Sequence, residues 1–127
     1  MFIKSIMIKI EDVITATTDT PLSVAATMLH ENRIGLLVVS SDDGHVVGVL
    51  SERDFIRGIS KNIETLHEMN VRDLMTTNPV TCMPDSDPVD IMNAMKEGHF
   101  RHMPVVEDDI LVGLVSMTEI THFMLMT

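Results

Sequence analysis

The chain has one cysteine, no tryptophan and no tyrosine. A lone Cys82 rules out an internal disulfide framework and suits a reducing compartment. Four phenylalanines, Phe2, Phe55, Phe100 and Phe123, are too few for a base-stacking platform. Basic residues are scarce as well: nine Lys and Arg against nineteen Asp and Glu give a formal charge of −10. That balance argues against general nucleic-acid binding, where basic charge supplies most of the affinity. It leaves room for a small anionic ligand held by a local Arg/His cluster. No apolar run is long enough to span a bilayer, and Met1–Ile10 lacks the layout of a signal peptide. The expectation is a cytoplasmic protein with neither membrane nor nucleic-acid partners. P-loop, dinucleotide fingerprint and nucleophile elbow are all missing, so the chain is not expected to be an enzyme.

What is present is a repeat. Val46–Asp54 reads as an apolar strand interrupted by Gly48, then Ser51, then Asp54 three residues on. Leu111–Glu119 copies it, with Gly113, Ser116 and Glu119 in the matching places. The match extends outward. Val13–Thr17 is β-branched and reads as a strand. Thr20-Pro21 starts a helix, with Thr as N-cap. Leu22, Ala25, Ala26 and Leu29 form its buried stripe, and it stops near Asn32. Ile34–Ser40 is a buried strand, Ser41–Gly44 a turn, Val46–Leu50 a strand and Glu52–Ile59 a helix.

The second copy follows the same order. Val71–Met75 answers Ile3–Met7, Val80–Cys82 answers Val13–Thr15, and Asp87-Pro88 caps a helix ended by Gly98. Met103–Glu107 and Leu111–Val115 are strands, and Met117–Met126 is the last helix. Aligning Val13 with Val80 carries Val38 onto Val105 and Val39 onto Val106, and places Ile34 and Gly35 opposite Arg101 and His102. Ser60–Asn70 is a polar connector. Each copy alone is marginal in size for a stable core. The expected fold is therefore α/β: two tandem β-α-β-β-α repeats, residues 1–60 and 61–127, packed with pseudo-twofold symmetry.

The repeated order, with Gly-apolar-apolar-Ser-x-x-Asp closing it, resembles the CBS domain, and two copies resemble a CBS pair. Val71-x-Asp73-x-Met75-Thr76, Asn78-Pro79-Val80-Thr81 and Arg101–Val106 are also similar to that family's phrases. The resemblance implies a stand-alone regulatory module that senses an adenosine-containing ligand: AMP, ADP, ATP or S-adenosylmethionine. It implies no required cofactor, a homodimer, and an unidentified regulated protein as partner. Carried onto this chain, it puts Asp54 on the ribose hydroxyls, with Ser51 and Arg53 beside it. Val80 and Thr81 would line the adenine, and Arg101 and His102, followed by Met103, would meet the phosphate. A second, weaker cleft would use Ile14, Ile34, Gly35, Leu36, Ser116, Thr118 and Glu119. Glu119 in place of Asp and the lack of a cation at Ile34-Gly35 weaken it.

Plainer readings stand beside these. Ser51-x-x-Asp54 and Ser116-x-x-Glu119 both have the form of a capping box. The duplicated frame turns Asp54 toward a ligand, whereas Glu119 is better read as a cap. Arg101 and His102 also suit a solvated strand entry, and His99-x-x-His102 lacks a third metal ligand at a supporting spacing. Cys82 reads as core. Met28, Met92 and Met95 fill core gaps, while Met117, Phe123, Met124, Leu125 and Met126 make the last helix apolar on more than one side. That suits an additional buried surface, and since CBS pairs associate face to face the resemblance implies a homodimer through Glu52–Ile59 and Met117–Met126; the plainer alternative is a frayed C-terminus. The alternative function is a ligand-free dimerisation or protein-interaction module.

Overall fold

The computed structural model describes residues 2–126, so Met1 and Thr127, the outermost residues of the two expected repeats, lie outside the described residues. In chain order the elements are β1 (Ile8–Lys9), β2 (Thr15–Ala16), α1 (Leu22–Asn32), β3 (Leu36–Ser40), β4 (Val46–Ser51) and α2 (Glu52–Asn62). There follow α3 (Val71–Leu74), β5 (Thr76–Thr77), α4 (Pro88–Gly98), β6 (His102–Glu107), β7 (Ile110–Ser116) and α5 (Met117–Leu125). The fold is α/β, with five α-helices and two sheets among the described residues.

Local chemistry sets most of the ends. In α1, Leu22, Ala25 and Leu29 are buried as their spacing requires, while Ala26 is exposed. Pro21, not Thr20, is the N-cap; the Thr20 hydroxyl instead accepts the Thr17 N–H at 3.1 Å. Arg33 ends this helix in the left-handed region (φ 54°), and Ile34 N–H reaches back to the Leu29 carbonyl. Helix α4 starts as expected, with the Asp87 carboxylate accepting Val89 N–H at 2.8 Å and Pro88 first in the helix. It runs through Gly98, and the left-handed residue is His99 (φ 59°). Gly98 has a different use: a Cβ there would meet the Phe100 ring at 2.2 Å.

The chain divides into two compact units. One is Ile14–Pro79; the other joins the described residues up to Val13 with those from Val80 onward. The first has the sheet order β2-β3-β4-β5 around Leu22, Leu37, Val39, Leu50 and Val71. The second has β1-β7-β6 around Ile3, Met95, Met103, Val115 and Ile120. The sequence repeats and the spatial units are thus divided differently. The stretch opening each copy packs in the unit of the other: Lys9 pairs with Gly113, and Thr77 with Gly48.

Backbone pairing corrects the alignment of the copies by one residue. Leu36 faces Ser51 as His102 faces Ser116, and Glu52 N–H binds Gly35 O as Met117 N–H binds Arg101 O. Val39 pairs with Gly48 as Val105 pairs with Gly113, each just before a register shift. So Gly35 and Leu36, not Ile34 and Gly35, stand where Arg101 and His102 stand. Sequence identity favours the other register, with two matched pairs, Val38/Val105 and Val39/Val106, whereas backbone pairing leaves only Val39 on Val105 and sets Val38 against Pro104.

The strand expected at Val80–Cys82 reduces to one parallel bridge, Cys82 with Val105. Its counterpart β2 pairs Thr15 and Ala16 with Val38 and Val39. Pro104 occupies the place of Val38 and has no N–H to give the ladder, so Val80 and Thr81 remain unpaired and exposed.

Candidate functional site

Strand β4 runs directly into α2 at Ser51, and the junction fixes Asp54 in the first helical turn. Ser51 is the N-cap. Its hydroxyl accepts Asp54 N–H at 3.2 Å, and the Asp54 carboxylate accepts Ser51 N–H at 2.9 Å, closing a capping box. Asp54 is 4% exposed. A buried carboxylate needs donors, and this one has four. Oδ2 accepts the N–H and, at 3.1 Å, the hydroxyl of Ser51. Oδ1 accepts Arg57 Nη2 at 2.5 Å and Thr76 Oγ1 at 3.3 Å.

Arg57 and Thr76 were missed in the sequence. Arg57 was findable, because residues three apart on a helix are neighbours. Thr76 was not: it arrives on β5, from the stretch that opens the second copy, and only the exchanged pairing brings it beside α2. Arg53 is exposed on α2, one turn before Arg57.

The other expected ligand residues lie in the second unit. Arg101 is exposed, and His102 is half-buried at the start of β6, opposite Ser116. Val80 and Thr81 are exposed. Met103 is 1% exposed and packs in the core. Its side chain therefore has no surface for a ligand, and what it offers is backbone. Ile14, Ile34, Gly35 and Leu36 are half-buried in the unit of Asp54.

Ser116 and Glu119 repeat the cap at the β7–α5 junction, with one oxygen, Oε1, accepting both the N–H and the hydroxyl of Ser116 at 2.7 Å. The surroundings differ. Where Arg57, Thr76 and Arg53 stand about Asp54, this unit has His122, Ile8 and Thr118. A mainly apolar cavity of about 490 Å³ opens here, lined by Ser5, Ile6, Glu119, His122, Phe123 and Met126 among others.

Cys82 is buried as expected, and burial pushes its thiol up to about 11. No helix among the described residues is long and apolar enough to cross a membrane.

A family model described as the CBS domain matches residues 3–61 and again residues 71–126. The structure of a CBS-domain containing protein from Agrobacterium tumefaciens is similar over 95% of this chain and 91% of that one, at 32% identity and TM-score 0.85. CBSX2 in complex with AMP is similar over 98% of this chain and 96% of that one, at 25% identity and TM-score 0.88; CBSX2 is a CBS-pair protein from Arabidopsis thaliana. The Bacillus subtilis protein YlbB is 28% identical over 91% of this chain and 81% of its own length. Against the Arabidopsis thaliana proteins CBSCBSPB5 and CBSCBSPB4, each 28% identical, this chain spans only 19% of their length. With a match to each of its two copies, the chain belongs to the CBS domain family.

Proposed function

We propose that this chain is a regulatory, non-catalytic module that binds an adenosine-containing ligand of the AMP, ADP or ATP class. The observation that carries this reading is the Asp54 carboxylate, held at a strand–helix junction at 4% exposure, in a chain 25% identical to a CBS-pair protein whose structure is a complex with AMP. Two ribose hydroxyls are donors, and an ionised carboxylate accepts both strongly. Asp54 takes the ribose, with Ser51 and Arg53 beside it. Val80 and Thr81 take the adenine side, and Arg101, His102 and the Met103 backbone take the phosphate side. The residues around Glu119 bind weakly or not at all. Occupancy is passed to an unidentified protein partner through the shape of a homodimer, and a ligand moves that shape only by its difference in affinity for two states.

Calorimetry with AMP, ADP, ATP and S-adenosylmethionine tests this. Saturable binding that disappears in Asp54→Ala and survives in Glu119→Ala is expected. Equal loss in both variants contradicts the assignment to Asp54, and no binding of any of the four ligands ends the reading.

A second reading, a ligand-free interaction module, is favoured by one observation. Ile56, Ile59 and Ile63 follow one exposed line along α2 and its C-cap, Ile56 at 68% exposure, and Leu125 on α5 is 80% exposed. Sedimentation of the unliganded protein and of Ile56→Asp separates the two: a dimer broken by the substitution, in a protein that binds no nucleotide, supports the second.

A further inference from the structure

We propose that Arg57 makes the Asp54 site select nucleoside phosphates over unphosphorylated nucleosides; the inference rests on Asp54 as the ribose acceptor. An ionised carboxylate has about four lone-pair positions, and all are taken here: two by Ser51, one by Thr76 and one by Arg57. A ribose diol brings two donors, so two of these positions must open before it is accepted. The Ser51 pair is locked into the start of α2 by the capping box. The exposed Thr76 hydroxyl, donating at 3.3 Å, can turn away, and Arg57 is the charged donor free to leave, on a long side chain that is 52% exposed.

Its departure is costly, because it breaks a charge-assisted bond to a buried carboxylate. A ligand with a phosphate gives the guanidinium a new anion to grip bidentately. Arg53, one turn earlier on α2, is close enough to share that anion. A nucleoside without phosphate displaces Arg57 and offers nothing in return. The arrangement belongs to one unit alone, since His122, Thr118 and Ile8 hold the matching positions near Glu119.

The test is calorimetry of adenosine and AMP with the wild-type chain, Arg57→Met and Arg57→Lys, with thermal melts to confirm folding. The wild type is expected to prefer AMP by at least about tenfold, as loss of one charge-assisted bond implies. In Arg57→Met adenosine binds more tightly and AMP more weakly, so the preference falls by about the same factor. Arg57→Lys keeps an intermediate preference. An unchanged preference in Arg57→Met, or proportional loss of both ligands, overturns the inference while leaving Asp54 as acceptor. Failure of every protein to bind either ligand overturns that assignment, and this inference with it.

Discussion

The carbonyl oxygen of Ile8 lies 2.7 Å from the point where a Cβ on Gly113 would stand. Met7 Sδ is equally close, at 2.6 Å. Gly48 has the same relation to the other exchanged stretch, with Thr76 O at 2.8 Å and Met75 Sδ at 3.0 Å. The missing side chain lets β1 and β5 approach the sheets they join. Gly113→Ala and Gly48→Ala are therefore each expected to lower stability by about 1–3 kcal/mol, the usual cost of overpacking. Urea denaturation measures the loss. Hydrogen exchange should show Ile8–Lys9 loosened by the first substitution and Thr76–Thr77 by the second. Wild-type protection of both segments would contradict the packing argument.

Cys82 should be chemically quiet in the folded chain. Burial lifts its thiol from 9.0 to about 11, and the thiolate is the reactive form. Near pH 8, a thiol reagent should label the native protein slowly and the urea-unfolded protein quickly. The effect on stability follows by sign. The folded thiol holds its proton more tightly than the unfolded one, so stability is unaffected below pH 9 and falls as pH climbs toward about 11. Cys82→Ala should flatten that alkaline decline; an identical slope in the variant would remove Cys82 as its cause.

The turn between β3 and β4 carries a second titration. The Ser41 hydroxyl donates to the Asp43 carboxylate, and His45 Nδ1 lies 2.9 Å from Asp43 Oδ1. These partners, Ser41 first, lower the Asp43 carboxyl from 3.8 to about 2. A depressed acid supports the fold above its unfolded value and loses that support as pH falls through the folded one. An NMR titration should place the Asp43 midpoint near 2, and Ser41→Ala should raise it more than His45→Ala does. The reverse order would make the ion pair, not the hydroxyl, the main cause.

The sequence disclosed the repeat, both helix-capping acids and nearly every long element, because each is written in local chemistry: β-branched runs, a Pro after Asp87, a Ser three residues before an acid. It did not disclose that Ile3–Lys9 and Val71–Thr77 change places, since pairing between strands as far apart in the chain as Lys9 with Gly113 and Gly48 with Thr77 leaves no local mark. That omission hid Thr76 from the Asp54 site and left Gly48 and Gly113 as motif letters without a physical task. It also left open whether the Met103 side chain faces a ligand or the core. An apolar residue after Arg101-His102 suits a binding loop and a core strand equally, and only the burial of β6 decides between them. Val80 was misread for a related reason: its own β-propensity is good, but the partner strand offers Pro104.

Asp54 caps α2, and the ribose role proposed for it can be separated from that task. As a cap it must accept from Ser51; as a ribose acceptor it must also be charged. Asn at this third helical position can still accept Ser51 N–H through its one amide oxygen, but it brings an amide donor to the side where Arg57 and Thr76 donate. Asp54→Ala leaves all four donors without their acceptor, at a cost of about 1–3 kcal/mol. Asp54→Asn should keep the Ser51 half of the network and lose less. Thermal melts should therefore rank wild type above Asn above Ala, while calorimetry with AMP should find binding absent in both variants. If Asn retains wild-type affinity, the carboxylate charge is not what holds the ribose, and Asp54 is a cap alone.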